Sequence, residues 1–72
     1  MSRRNGLRFR YVVFLSGKEA LVYSCRVGHE QKLVKRKLSQ HHHDVWLLHR
    51  ISEETFETAG EARRAGKAKY RW

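Results

Sequence analysis

The sequence has no proline, a single cysteine and few acidic residues. Without proline, proline-rich ligand segments are excluded. The lone Cys25 cannot form an intrachain disulfide, and this usage is typical of a reducing compartment. No apolar run reaches the roughly 18 residues that a membrane span needs. The opening MSRRNG leads directly into a strand-like pattern and does not resemble a signal peptide. We therefore expect a cytoplasmic protein without a membrane segment.

The length of 72 residues predicts one small domain, covering residues 1–72. A chain of this size buries only about 60% of the surface that its unfolded form exposes, so its core is small. Residues 1–6 are predicted to be a mobile basic arm and residues 66–72 a basic aromatic tail. The alternative for the arm is an untethered terminus. The tail is expected to be mobile in the free protein, and a frayed terminus is equally consistent with it.

The charge is strongly one-sided. Sixteen Lys and Arg residues against seven Asp and Glu residues give a net charge of +9. Residues 1–50 carry eleven bases and three acids, residues 51–61 carry four acids and no base, and residues 62–72 carry five bases and no acid. This charge predicts a polyanionic partner, which is either nucleic acid or an acidic protein surface.

Residues 7–27 are rich in Val, Phe, Tyr and Leu on both sides of Gly17, a pattern typical of a β-hairpin. Because side chains alternate between the two faces of a strand, the loop length decides which residues share a face. We prefer a three-residue loop at 16–18, since it separates an apolar face from a partly basic one. The apolar face then carries Leu7, Phe9, Tyr11, Val13, Leu15, Leu21, Tyr23, Cys25 and Val27.

The other face of this hairpin is the predicted partner-binding site. It combines a basic open end with an apolar patch near the turn, and a patch with a charged rim is typical of a protein-binding surface. Exchange of Arg8 and Arg10 for glutamate is expected to weaken partner binding and to leave the fold intact. The predicted site comprises Arg8, Arg10, Val12, Phe14, Val22 and Arg26.

A helix is predicted over residues 29–42 and a third strand over residues 44–52. The helix has Leu33, Val34 and Leu38 on one face, which would cover the apolar face of the hairpin. The strand is mostly apolar on both faces, which favours a central or doubly covered position with His49 as a core histidine.

Two further elements follow. Residues 55–58 can form a short fourth strand, and Thr58 to Glu61 match a capping box that begins a short C-terminal helix. Gly60 and Gly66 weaken that helix, so deletion of residues 66–72 is expected to leave thermal unfolding nearly unchanged. The fold class is α+β: a hairpin, a helix, a third strand and a short C-terminal helix.

The sequence offers no catalytic constellation, and we predict a binding protein rather than an enzyme. Cys25 is placed on the buried face of the hairpin, where thiols are usually inert. The histidines at 41–43 raise a metal hypothesis, with Cys25 and His29 as further ligands. Zinc, however, takes three or four ligands, usually supplied as spaced pairs, and adjacent helical side chains diverge. We predict neither a metal nor a cofactor.

Most of the remaining bases are candidate contacts to DNA or RNA near the partner. The helical bases are equally consistent with an ordinary solvated surface. The candidates are Arg3, Arg4, Lys32, Lys35, Arg36, Arg63, Arg64, Lys67, Lys69, Arg71 and the aromatic Trp72.

The whole chain, from the opening MSRRNGLRFRYVVFLSGKEALVYSC onwards, resembles small phage-encoded transcription regulators that bind the host bacterial RNA polymerase. The likeness rests on length, basicity, the single cysteine and this opening, without a diagnostic motif. It implies a protein of the host cytoplasm that inhibits initiation by interfering with the sigma factor and promotes antitermination. No site residue follows from it.

Two functions therefore compete, and a general interaction module of unknown partner is a third. The first is a monomeric transcription regulator whose partner is RNA polymerase. The alternative is a protein that binds DNA or RNA directly through a basic sheet face and the tail. Exposed aromatic side chains in a basic groove would favour direct nucleic-acid binding, since single strands stack their bases on such rings.

Overall fold

The computed structural model describes residues 7–17, 19–40 and 46–70. Three strands form one antiparallel sheet: β1 (Phe9–Ser16), β2 (Glu19–Arg26) and β3 (Trp46–Ile51). The helices are α1 (Glu30–Gln40) and α2 (Ala59–Lys69). The predicted α+β class and the order of the elements are confirmed. Several predicted features lie outside the described residues, namely the arm with Arg3 and Arg4, the histidines at 41–43, Arg71 and Trp72.

β1 is the central strand of the sheet, whose order is β2-β1-β3. Four consecutive residues of β1 are buried: Tyr11, Val12, Val13 and Phe14. Because both faces of β1 are covered, its residues are apolar on both faces and do not alternate with polar ones. The prediction of a central or doubly covered third strand is wrong, since β3 lies at an edge.

The hairpin loop contains two residues, so the predicted three-residue loop is wrong. Val13 pairs with Val22, and Ser16 pairs with Glu19. Gly17 adopts a positive φ of 62°, which two-residue hairpin turns require. The three-residue loop was preferred because it left one face of the hairpin partly basic and uncovered. In the structure helices pack on both faces, so this preference was mistaken.

Helix α2 covers one face of the sheet. Tyr11, Val13 and Ala62 form the buried centre of this layer, and Val22 and Tyr70 pack against it. A Cβ atom at Gly66 would come within 2.6 Å of the Val22 side chain. Glycine at this position therefore lets the helix lie close to the sheet.

Helix α1 covers the opposite face. Val12, Phe14 and Val34 form the second buried cluster, with Leu33 and Trp46 packed against it. Its observed bounds lie inside the predicted 29–42, and Val34 faces the sheet as predicted. The predicted face is wrong, however, because α1 covers Val12 and Phe14, whereas α2 covers Tyr11 and Val13. The structure is thus a three-stranded sheet between two helices.

The segment between β3 and α2 contains no fourth strand among the described residues. Phe56 instead forms an isolated bridge with Phe9, through hydrogen bonds of 2.9 and 2.8 Å. The Thr58 hydroxyl accepts a hydrogen bond from the Glu61 amide at 3.1 Å, as half of the predicted capping box. α2 is longer than predicted and continues through Gly66 to Lys69.

Candidate partner-binding surface

The structure does not bring the predicted partner-binding residues together on one exposed face. Val12 and Phe14 are fully buried beneath α1. Val22 packs on the opposite face, beneath α2. The two-residue loop is the reason, since it shifts β2 by one position relative to β1 and reverses the face of every β2 residue.

Arg8 and Arg10 hold the fold together, although the sequence suggested that they bind a partner. Arg8 donates to the Thr55 hydroxyl at 3.0 Å and to the Thr55 carbonyl at 2.9 Å. Arg10 donates to the carbonyls of Ser52 and Glu53 at 2.7 and 2.9 Å. Both guanidinium groups therefore fasten the loop after β3 to the central strand. Reversing both charges would remove these bonds, so from the structure we expect the fold to be destabilised rather than left intact.

Glu30 extends this network to the start of α1. Its carboxylate lies 2.9 Å from Nε of Arg10 and accepts a hydrogen bond from the Gly28 amide at 2.9 Å. A carboxylate at this position also favours the helix dipole. Arg26, the remaining base of the predicted site, is exposed at the end of β2.

Cys25 lies near this network and is half-buried, packed against the cluster of Val12, Phe14 and Val34. Burial raises the pKa of its thiol, and the Glu30 carboxylate raises it further, whereas Arg10 lowers it. A raised pKa keeps the thiol protonated and weakly nucleophilic at neutral pH.

The exposed bases divide into two surfaces on opposite sides of the sheet. Because α1 and α2 pack on opposite faces, the predicted nucleic-acid contacts on the two helices cannot line one groove. Lys37, which was not predicted to have a role, lies 4.4 Å above the ring of Tyr23 in a cation–π contact. The α1 surface consists of Lys32, Lys35 and Arg36, and the α2 surface of Arg63, Arg64 and Lys67.

Strand β3 carries the most exposed apolar side chains of the sheet. Leu47 is 59% exposed and Leu48 is 40% exposed. Leu48 pairs with Phe14 and so faces the α1 side, whereas Leu47 pairs with Leu15 and faces the α2 side. We call the segment Leu47, Leu48, His49 and Arg50 the β3 surface. Adjacent residues of a strand point to opposite faces, so the sequence pattern gives the faces of the two leucines but not their exposure.

His49 lies at a β-bulge of the β3 surface. The pairing with β1 shifts between Val13 and Phe14, so that His49 is the extra residue. His49 is exposed, and its ring packs edge-on against Tyr70 at 5.4 Å. The prediction of a core histidine is therefore wrong.

An open cleft of about 390 Å³ adjoins the β3 surface on the α2 side. It forms because α2 packs mainly against β1 and β2 and leaves β3 uncovered. Arg50 and Lys69 supply its positive charges, and two acidic residues lie beside them. The lining consists of Tyr11, Arg50, Glu53, Glu54, Lys69 and Tyr70.

No aromatic side chain is exposed within the described ranges; each is buried or half-buried. The exposed large apolar residues there are all aliphatic. Across the same ranges, no group of three or more His, Cys, Asp or Glu side chains lies close enough to hold a metal ion. No helix within them combines the length and apolar character of a membrane span.

No family model matches the sequence, and comparisons with curated proteins and with solved structures give no match.

Proposed function

We propose that the protein regulates transcription in a host bacterium by binding the host RNA polymerase, as the resemblance to small phage regulators implies. In this proposal it inhibits initiation by interfering with the sigma factor and promotes antitermination. It acts in the host cytoplasm as a monomer and uses neither a catalytic residue nor a cofactor of its own.

The exposed side chains favour a protein partner over single-stranded nucleic acid. Proteins that bind single strands stack bases on exposed aromatic rings, whereas the described aromatic residues here are all at least half-buried. The exposed large apolar residues are aliphatic, with Leu47 the most exposed. Exposed aliphatic side chains with charged residues near them favour a protein partner over a single strand.

The net charge of +9 supports an acidic partner surface. Opposite charges accelerate the encounter of two proteins and select the orientation in which they dock. The exposed bases of α1 and α2 lie on the two faces of the sheet, so an acidic partner would meet positive charge on either face.

Direct DNA or RNA binding remains the second candidate, and the three exposed bases of α1 favour it. Its basic sheet face is lost, however, because Arg8 and Arg10 donate to loop carbonyls. The basic surfaces left for DNA or RNA are the exposed faces of α1 and α2, which lie on opposite sides of the sheet. Such surfaces support weak, salt-dependent contacts to phosphates near the polymerase.

Binding to purified polymerase tests the proposal. The protein is mixed with nuclease-treated core enzyme and holoenzyme at moderate salt, and promoter-dependent initiation and terminator readthrough are measured. We expect retention by nuclease-treated polymerase, reduced initiation and increased readthrough. Binding that disappears after nuclease treatment would favour direct nucleic-acid binding. Polymerase that neither binds nor responds would refute the proposal.

A further inference from the structure

We propose that β3 is a docking strand, to which an extended acidic segment of the protein partner adds as a fourth strand. This inference rests on the proposed function in that the partner is a protein. In such strand addition, main-chain hydrogen bonds supply affinity, and side chains on alternate faces supply specificity.

The outer edge of β3 is available for pairing. β3 pairs with β1 on one side, and within the described part of the chain no segment pairs with residues 47–51 on the other side. An edge strand of this kind presents unpaired backbone N–H and C=O groups.

The side chains of β3 favour pairing rather than protection. Natural edge strands are usually blunted by lysine, proline, bulges or a covering segment. β3 has the bulge at His49 and one charged residue, Arg50, which faces the cleft on the α2 side. Leu47 and Leu48 project to opposite faces of the sheet, so a strand added at this edge would cover apolar surface on both faces.

The other edge of the sheet is less suited to pairing. The central residues of β2 are all half-buried, and its exposed ends are the charged Glu19 and Arg26. Both helices also pack against β2. The exposed leucines therefore select β3.

The cleft beside β3 indicates what the added strand carries. Arg50 pairs with Val13 and thus faces the α2 side, where Lys69 also lines the cleft. Within the described residues, neither Arg50 nor Lys69 forms a salt bridge. A carboxylate on the α2-facing side of the added strand would pair with Arg50, which can bind it with two parallel hydrogen bonds. Glu53 and Glu54 share the cleft, so it suits one carboxylate rather than several.

Charge and area both argue against a second copy of this chain as the occupant. Two copies would bring two charges of +9 together, and like charges disfavour association. Pairing along a six-residue strand also covers much less than the roughly 1,200–2,000 Å² of a stable interface. A larger acidic partner can add contacts to the helix bases on either side.

A designed peptide tests the docking strand without polymerase. The probe is a capped eight-residue peptide of alternating valine and threonine in which one central threonine is replaced by glutamate, titrated into the isotope-labelled protein. We expect amide chemical-shift changes concentrated at residues 47–51, and much weaker changes with the same peptide carrying lysine in place of the glutamate. Equal responses to both peptides, or changes confined to the helix bases, would overturn the inference.

Matched variants test the docking strand in the polymerase complex. Leu48→Lys alters the edge, and Val27→Lys is the control, because Val27 is equally exposed at 41% and follows β2. Both variants add one positive charge, which by itself would strengthen binding to an acidic partner. We expect Leu48→Lys to weaken polymerase binding by about tenfold and Val27→Lys to leave it within about twofold.

The outcomes separate the inference from the proposed function. If the wild-type protein does not bind polymerase, the proposed function fails and the peptide result alone decides the inference. Equal polymerase affinity of the two variants would overturn the inference while leaving polymerase binding intact. A concentration-dependent dimer in sedimentation that Leu48→Lys abolishes would assign the edge to a second copy and would also overturn it.

Discussion

Arg10 on β1 and Glu30 in the first turn of α1 form a salt bridge, with Nε and Oε2 2.9 Å apart. Their side chains are only 25% and 17% exposed, so water screens this pair less than an ordinary surface pair. Arg10 also donates to two carbonyls of the loop after β3. One guanidinium group therefore joins the central strand to α1 and to that loop.

Replacement of Arg10 should destabilise the fold. Arg10→Ala removes the salt bridge and two charge-assisted hydrogen bonds, and it leaves the Glu30 carboxylate without this partner. We expect a loss of roughly 2–4 kcal/mol in the free energy of unfolding, measured by urea denaturation. The control is Arg26→Ala, which removes the same charge from an exposed position at the end of β2. Equal stability of the two variants would show that the Arg10 network contributes nothing.

The two glycines of α2 should respond to alanine in opposite directions. At Gly66 a Cβ would lie 2.6 Å from Val22 Cγ1 and 2.9 Å from Tyr11 Cγ. Gly66→Ala should therefore destabilise the protein by about 1–2 kcal/mol, since overpacking outweighs the gain in helix propensity. At Gly60 the nearest atom is 4.0 Å away, so Gly60→Ala should raise the melting temperature. Destabilisation by Gly60→Ala, or stabilisation by Gly66→Ala, would contradict this packing.

Tyr70 makes the end of α2 part of the core. Its ring lies 6.1 Å from that of Tyr11, and its amide donates to the Gly66 carbonyl at 2.9 Å. Tyr70→Ala should lower stability by roughly 1–3 kcal/mol, somewhat less than for a fully buried aromatic residue. Lys67→Ala, on the exposed face, should have little effect in the same thermal scan.

The predicted mobile tail is therefore wrong as far as Tyr70. Deletion of residues 66–72 should lower the melting temperature substantially, because it removes both Gly66 and Tyr70 from the α2 layer. A truncated protein that unfolds at the wild-type temperature would restore the view of this segment as a tail.

The sequence predicted the order of elements because each has a strong local signal. The hairpin has β-branched and aromatic arms around Gly17, and the Thr58 cap marks the start of α2. The register could not be predicted in the same way: both faces of β1 are apolar, so the pattern did not reveal that both are covered. α2 was predicted too short because glycine has a low helix propensity. The close packing of Gly66 against Val22, which the sequence does not reveal, lets the helix continue past it.

The candidate site was harder to predict, because it depends on contacts between distant residues. Arg8 and Arg10 appeared to be available bases, yet their acceptors lie more than forty positions away in the sequence. Once they are bound within the fold, the exposed groups that remain are the helix bases and the β3 surface. The exposure of Leu47 follows from the edge position of β3, which its apolar pattern alone did not indicate.

The Cys25 thiol should make stability decline at alkaline pH. Burial and Glu30 raise its pKa in the folded protein, so the unfolded chain loses its thiol proton first as the pH rises. The stabilisation that the buried neutral thiol gives to the folded state is present in full below the ordinary thiol pKa of about 8.5. It is lost as the pH rises towards the pKa of the folded protein. The rate of iodoacetamide alkylation should accordingly reach its midpoint at a higher pH in the folded protein than in urea. A midpoint at or below that of the unfolded chain would contradict the raised pKa.

Amide hydrogen exchange of the protein bound to nuclease-treated RNA polymerase tests the central claim most directly. We expect the amides among residues 47–51 that point away from β1 to become protected in the complex, because a partner strand would pair with those backbone groups. The exposed ends of β2 should exchange at their free rates and serve as the internal control. Polymerase binding that protects the α1 bases while residues 47–51 still exchange at their free rates would contradict docking at β3. Failure to bind polymerase at all would contradict the proposed function itself.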